Sequence, residues 1–518
     1  MKGLSCSFLL CILFTTSYGQ PLNGKQLDSL VLRAMKAFDV PGIAVAIIKD
    51  GKPVLMKGYG VSSLNSKAPV NEHTLFGIAS NTKAFTTAAL GILVDEGKLK
   101  WDDKVSNYIP EFKLHNPYVT DEFTIRDLLT HRSGLGLGAG DLMFYPDSSD
   151  FTIKDVIYNL RFLKPVSSFR SKYDYDNTLY IVAGEVITRV SGMSWDVFVE
   201  ERILQPLGMS HSAASYDRLK DKSNVADPHA LVEGKVKVVS RHGASYSRAS
   251  GSMYSSVADL GKWVQVHLDK GKFGAGLDKK IFSAAVFEER WTPQTILPVR
   301  SAGDYNTHFS SYGLGFFLSD VHGLKQVTHT GGTVGMLTQV TMIPELNLGI
   351  IVLTNQEESG AFRAIADQVK DGYFNMKGTD RVAQYSKGRK TQREFARTIT
   401  DSIWNNIGIA QKATGEKIDI AAYAGTYHDK WFGDVVISME NGKPWFASKR
   451  SPKLTGQLFP YKGNSFVVKW RERSMDADAF VNFTLDAAGK AAGITMSAIS
   501  PLTDFSYDFH DLDFIRVK

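Results

Sequence analysis

Phe76-Gly77-Ile78-Ala79-Ser80-Asn81-Thr82-Lys83 is the stretch on which the reading of this chain turns. A short apolar run ends at Ser80, and Ala84, Phe85, Ala88, Ala89, Leu90, Ile92 and Leu93 follow before Gly97. That pattern predicts a strand or loop handing over to a buried helix from Ser80 to Glu96, with Gly97 as its C-cap. Ser80 then lies at the positive end of the helix, and Lys83 sits one turn later on the same face. A serine hydroxyl attacks poorly until a base takes its proton, and an amine serves once burial lowers its pKa. Ser80 is the only serine in the chain followed by lysine three residues later. On its own, Ser-x-x-Lys reads by default as a helix N-cap followed by a surface lysine. Its weight comes from what accompanies it.

Upstream, Leu27, Leu30, Leu32, Met35 and Phe38 recur at helical spacing until Pro41-Gly42 breaks the pattern. Ile43 to Ile48 is an unbroken apolar run, the mark of a buried strand, and Asp50-Gly51 turns it into a second strand from Pro53 to Tyr59. From about Trp101 to Lys325 helices alternate with Gly- and Pro-rich loops. Strands return at Gln326–His329, Met336–Ile343 and Leu348–Thr354, and a helix runs from Gly360 to about Phe374. This order predicts one sheet flanked by helices, with the insert as a second lobe. Residues 377–415 are polar and charged, with one helix expected near Arg393–Ile407, and read as a linker. Beyond them, short alternating runs and turns such as Asn441-Gly442 predict a small antiparallel sheet or barrel. Trp431, Trp445 and Trp470 are expected in its core.

Two further segments bear chemistry. Tyr175-Asp176-Asn177 opens an apolar helix containing Ile181, Val182, Ala183 and Val186. A tyrosine there can pass a proton between nucleophile and leaving group, and an asparagine can bond a substrate carbonyl. His329-Thr330-Gly331-Gly332 follows the strand-like run Leu324 to Thr328, and its glycines let backbone N–H groups approach an oxyanion. Separately these are commonplace: Tyr-x-Asn is a frequent turn, and a lone histidine is usually structural.

In this order and at this spacing, Ser80-x-x-Lys83, Tyr175-x-Asn177 and His329-Thr330-Gly331 resemble the three motifs of the serine β-lactamase and penicillin-binding-protein superfamily. The nearest branch is the class C β-lactamase-like group, with its DD-peptidases, D-aminopeptidases and esterases. Leu128-Leu129-Thr130-His131-Arg132-Ser133-Gly134-Leu135 and the stretch Gly251 to Leu260 add to the resemblance, which spans Leu27 to Phe374. The C-terminal Tyr423-Ala424-Gly425-Thr426-Tyr427 resembles the lipocalin-like β-domains appended to many members. The resemblance implies an α+β fold: an antiparallel sheet flanked by helices, an all-helical lobe and a small C-terminal β-barrel-like domain. It implies an acyl-enzyme on Ser80, with Lys83 and Tyr175 sharing general-base and general-acid work. The N–H groups of Ser80 and Gly332 would form the oxyanion hole, Asn177 would orient the acyl side chain's amide, and Thr330 would bind substrate. His329 departs from the lysine of class C β-lactamases, which binds the drug's carboxylate. Histidine there resembles the DD-peptidase and D-aminopeptidase branch.

The rest of the chain bounds these expectations. It has 518 residues, 43% hydrophobic and 22% charged, with a formal net charge of +6 carried by scattered Lys and Arg. Scattered charge argues against nucleic-acid binding. Met1-Lys2-Gly3, the seven residues Phe8 to Phe14 and the small residues Ser17 and Gly19 read as a secretory signal over 1–19. Both cysteines, Cys6 and Cys11, fall within it, so a cleaved chain carries no disulfide and no cysteine metal ligand. No later apolar stretch is long enough for a membrane span. No His-Glu-x-x-His or other metal set is present, and no cofactor is expected; the glycine-rich Gly134 to Gly140 lacks the Lys-Ser/Thr of a phosphate cradle. The domains are expected at 20–376, a serine hydrolase, and 416–518, a lipocalin-like module that shapes or covers the cleft. The expected protein is a secreted or periplasmic, metal-independent serine hydrolase acting on a small peptide or acyl substrate, its oligomeric state open. Short or D-residue-containing peptides lead, ahead of ester or β-lactam hydrolysis on the same scaffold. A penicillin-binding sensor that acylates without turnover is the alternative of another class.

Overall fold

A computed structural model describes residues 21–241, 243, 247–414 and 420–517. The leader-like segment, with Cys6 and Cys11, lies outside them. Asn23 caps the first helix, α1 (Gly24–Phe38), in a reciprocal pair with Gln26. Its buried stripe is Leu27, Leu30, Val31, Ala34 and Phe38, which packs on one face of the main sheet. Strand β1 (Gly42–Lys49) is buried along almost its whole length, as its unbroken apolar run requires, while β2 (Lys52–Gly60) is the exposed edge beside it. Helix α2 (Lys83–Asp95) is buried on nearly every side.

After the insert the sheet continues through β3 (Thr295–Leu297), β4 (Ser310–Tyr312), β5 (Phe317–Val321), β6 (Leu324–Thr333), β7 (Met336–Ile343) and β8 (Leu348–Thr354). The order across the sheet is β2-β1-β8-β7-β6-β5-β4-β3, every pair antiparallel. Sequence reading found five of these eight strands. The other three belong to the stretch assigned to the insert and are short. The insert itself is mainly helical, including α3 (Asn177–Ser191), and adds two two-stranded ribbons of its own and a third with Phe76–Gly77.

Helix α4 (Ser359–Tyr373) joins α1 over the sheet. The segment read as a linker is instead a 34-residue helix, α5 (Arg381–Thr414). Its polarity is that of a helix fixed by ion pairs: Arg389 and Arg393 both bond the buried Glu358, and Arg381 Nε bonds Asp371 at 2.6 Å. Farther along, Ile403 and Ile407 bury against Val467 and Ile499. They tie the helix to a closed barrel of eight strands, β9 (Gly425–Asp429), β10 (Gly433–Glu440), β11 (Lys443–Ser448), β12 (Thr455–Lys462), β13 (Ser465–Trp470), β14 (Ala479–Leu485), β15 (Ala491–Ala498) and β16 (Asp513–Arg516). Each strand pairs with the next, and β9 closes on β16. Trp431 and Trp470 are buried. Trp445 is not; it lies half-exposed under the Arg471 guanidinium, 4.6 Å away, because its strand position faces outward. Among the described residues no helix is long and apolar enough to cross a membrane.

The barrel sits against the helical lobe. Asn159 donates to the Trp431 carbonyl at 2.8 Å, and Arg450 and Lys453 pair with Asp150 and Asp147, each at 2.6 Å. A cleft of about 1170 Å³ opens where sheet, lobe, α5 and barrel meet.

Candidate active site

Ser80 lies on a short 3-10 turn, Ala79–Thr82, that runs directly into α2. Ala79 holds φ at 46°, a left-handed conformation that costs an alanine about 1 kcal/mol. The turn is held from two sides. Ile78 N–H donates to the Met253 carbonyl at 2.9 Å, and Phe76-Gly77 pairs with Tyr254-Ser255. Thr338, on β7, donates to the Ile78 carbonyl at 3.1 Å and accepts from the Asn81 amide at 2.9 Å. The stretch from Gly251 thus serves to brace the nucleophile turn.

Lys83 has 0% exposure. Its Nζ lies 3.1 Å from Ser80 Oγ, 2.7 Å from Asn177 Oδ1 and 2.9 Å from the Ser250 carbonyl oxygen. The last two groups can only accept. A neutral amine that donates two N–H bonds to them directs its lone pair at the Ser80 hydroxyl, the geometry of a base. Burial lowers the Lys83 pKa to about 7, with the nearby Asp141 pulling the other way.

Tyr175 places its ring 4.8 Å from Lys83 Nζ and lines the cleft beside Ser80. Burial pushes the phenol well above its ordinary value, so it stays protonated as a donor while the amine is free to accept. The turn carrying Tyr175 is braced by the His131 stretch. Asp176 N–H donates to His131 Nδ1 at 3.0 Å, and Ser133 Oγ donates to Asp176 at 2.7 Å.

His329, Thr330, Gly331 and Gly332 run along β6 past the nucleophile turn and line the same cleft as Ser80, Tyr175 and Asn177. The approach is close enough to demand glycine. A Cβ on Gly331 would stand 2.1 Å from the Ile78 carbonyl oxygen. His329 is buried at 2% exposure; its Nδ1 lies 2.6 Å from the Thr330 carbonyl oxygen and its Nε2 lies 3.0 Å from the Tyr312 hydroxyl. A carbonyl only accepts, so Nδ1 carries the proton and Nε2 receives the phenol's. Burial, reinforced by Lys83, lowers the His329 pKa to about 3. The ring is neutral and cannot stand in for a lysine's charge.

Seven of the eight residues singled out in the sequence therefore line one cleft, and the eighth, Lys83, lies buried directly behind it on Ser80 and Asn177. Sequence reasoning missed the groups behind them. Asp141 is fully buried and accepts from Asn177 Nδ2 at 2.8 Å and from Ser506 Oγ, in the barrel, at 2.8 Å. Burial raises its pKa to about 8. Asn177 is thereby engaged at both ends of its amide, on Lys83 and on Asp141. Phe505 stands edge-on to the Tyr175 ring at 5.7 Å. No local signal marks Ser506 or Phe505. Asp141 directly follows the glycine run weighed above for phosphate; Gly138 and Gly140, both at positive φ, pack against the barrel's Phe505 and Asp508.

Known proteins resemble this chain over both parts. It is 29% identical to Unguisins hydrolase ungD of Aspergillus violaceofuscus over 460 residues, covering 82% of this chain and 78% of that one. It is 27% identical to Protein flp of Staphylococcus aureus over 346 residues, 64% of this chain and 63% of that one. The octameric penicillin-binding protein homologue from Pyrococcus abyssi shares the fold, with a TM-score of 0.62 at 22% identity, over 96% of this chain and 100% of that one. Residues 410–516 match a domain of unknown function, DUF3471. The β-lactamase family model matches residues 27–373, and with the nucleophile turn, the buried amine and the glycine strand in one cleft, the chain belongs to the β-lactamase family of serine hydrolases.

Proposed function

We propose that the protein is an acyl-serine peptidase or amidohydrolase acting on short or D-residue-containing peptides, in the manner of a DD-carboxypeptidase or D-aminopeptidase. Ser80 Oγ attacks the scissile carbonyl and its proton passes to Lys83 Nζ. The N–H groups of Ser80 and Gly332 hold the oxyanion, and Thr330 binds substrate. As the tetrahedral intermediate collapses, the Tyr175 phenol protonates the leaving amine and is reprotonated from Lys83. Water then attacks the Ser80 ester as Lys83 takes its proton, and Lys83 passes that proton to Ser80 Oγ as the bond to the acyl carbon breaks and the acid leaves. With both ends of its amide engaged, Asn177 positions Lys83 in this scheme. We extend the secreted or periplasmic reading to the whole protein on the leader-like first residues, and assign the barrel a part in shaping the cleft.

The observation that carries the choice of substrate is His329. Buried, neutral and bonded to Tyr312, it offers no cation to the carboxylate of a β-lactam, which favours peptides over drugs. The name of the Aspergillus relative, an unguisins hydrolase, is in keeping with a hydrolytic role. The test compares D-alanyl-D-alanine peptides, D-amino-acid amides, p-nitrophenyl butyrate and nitrocefin at equal enzyme concentration, with mass spectrometry of the Ser80 peptide. Turnover highest on a D-peptide or D-amide, with an adduct on Ser80, is expected. Efficient turnover of ester or nitrocefin alone, or stoichiometric labelling without turnover, overturns it.

A further inference from the structure

The barrel joins the hydrogen bonds of the site through a short segment, residues 504–508. Asp508 is fully buried and accepts N–H bonds from Gly140 at 2.6 Å and Leu142 at 3.0 Å, so it grips the turn on which Asp141 sits. Ser506 Oγ donates to Asp141 Oδ2 at 2.8 Å, and the same oxygen accepts Asn177 Nδ2 at 2.8 Å. Asn177 Oδ1 accepts Lys83 Nζ at 2.7 Å, and Nζ stands 3.1 Å from Ser80 Oγ. An unbroken run of hydrogen bonds thus joins the barrel to the nucleophile. Only side chains and one turn lie between them.

An asparagine amide has nearly the same shape either way round but opposite polarity. If Asn177 flipped, its NH₂ would face the Lys83 amine and its oxygen would face Asp141. Nothing would then hold the lysine's second N–H, and the lone pair would lose its aim. An acceptor at Asp141 Oδ2 opposes the flip, because both contacts made to that oxygen are donated to it. We propose that Asp141, with Ser506 and Asp508 of the barrel, forms a positioning relay that orients the Asn177 amide and thereby Lys83, making the C-terminal barrel a working part of the hydrolase site. This rests on the reading of Lys83 as the base for Ser80.

The relay has an electrostatic consequence. Lys83 faces the neutral rings of His131, His329, Tyr175 and Tyr180, while Asp141 faces Asp176, Asp504 and Asp508. Burial holds both histidines uncharged through neutral pH, so Asp141 is the group whose charge opposes loss of the Lys83 proton. The Ser506 donor favours the ionised form of Asp141, and that charge favours the protonated form of Lys83. Removing the donor leaves Asp141 more often neutral and lets Lys83 shed its proton at lower pH.

The experiment measures the rate at which a fluorophosphonate probe labels Ser80 in the full chain, from about pH 5 to about pH 9, for wild type, Ser506→Ala, Ser506→Thr and Asp141→Asn. Ser506→Ala is expected to slow labelling by about tenfold, the worth of one buried hydrogen bond, and to move the acidic limb to lower pH. Ser506→Thr keeps the hydroxyl and both wild-type values. Asp141→Asn, which keeps the shape and deletes the charge, moves the limb further in the same direction. Wild-type rate and an unmoved limb in Ser506→Ala, even with a lowered melting temperature, reduce the barrel to a support and overturn the proposal. A wild-type protein that is not labelled at Ser80 at all overturns the reading of the base itself, and the relay with it.

Discussion

Lys83→Met keeps the length of the side chain and removes the amine, and the pH dependence of its effect follows from burial. The Lys83 pKa falls from an ordinary 10.5 to about 7, and each unit is worth 1.36 kcal/mol, so ionising the folded side chain costs about 5 kcal/mol. The folded value is the depressed one. Between about pH 7 and about pH 10.5 the unfolded chain therefore binds the proton more tightly, and stability rises with pH across that window. Below it Lys83 is charged in both states and the whole penalty is felt. The methionine variant has no such term. It does strand the Asn177 oxygen and the Ser250 carbonyl, at about 1–3 kcal/mol each, but that cost does not change with pH. From pH 7 to pH 9 the stability of wild type relative to Lys83→Met should grow by about 2 kcal/mol. Asp141 pushes the same way, because losing the Lys83 charge raises its pKa further in the variant. Urea denaturation of both proteins at several pH values reads the difference, and fluorophosphonate labelling of wild type should show an acidic limb near pH 7. A stability difference flat across that range, or a limb two or more units higher, would refute the argument that burial makes this lysine a base.

Three other substitutions probe separate parts of the same architecture. Tyr175→Phe keeps the ring against His131 and Phe505 and deletes the donor, so kcat should fall by about 10²–10⁴ with little change in melting temperature; steady-state kinetics that match wild type would remove the phenol from the chemistry. Gly331→Ala brings a Cβ to 2.1 Å from the Ile78 oxygen and 2.5 Å from Thr338 Oγ1, which must push β6 off the nucleophile turn; labelling of Ser80 should collapse while a folded near-ultraviolet circular dichroism spectrum persists. Glu358→Gln neutralises a carboxylate with no solvent exposure that serves both Arg389 and Arg393. It should cost about 3 kcal/mol in urea denaturation, the low end for a broken buried pair because Arg393 remains 41% exposed.

What the sequence disclosed depended on how locally each feature is enforced. Strands β1 and β8 are buried on both faces, so their apolar runs are continuous and unmistakable. Strands β3 and β4 are three residues long, and Ile296 in the first is 84% exposed; their membership of the sheet is decided by β5 and β6, not by their own pattern. Helix α5 reads as a linker because its fixings are charges whose partners, Glu358 and Asp371, lie on α4 or just before it. The three motifs of the site were legible because backbone chemistry ties each to a helix start or a strand passing the turn. Asp141, Ser506 and Asp508 were not, because their function is a set of contacts between residues more than 300 positions apart.

The histidine at 329 and the lysine at 83 are best understood as one electrostatic choice. Both sit in the same water-poor pocket, and the charge of Lys83 adds to burial in lowering the pKa of His329. A second amine at 329 would compete with Lys83 for the few acceptors present and drive its pKa below the value set by burial. A neutral imidazole, locked between the Thr330 carbonyl and the Tyr312 hydroxyl, fills the same volume without that penalty. Lys83 is then left to titrate close to neutrality, balanced only by Asp141, and the position of that balance is set from the barrel side through Ser506. The departure of this chain from the lysine pattern and the docking of its barrel therefore act on the same proton.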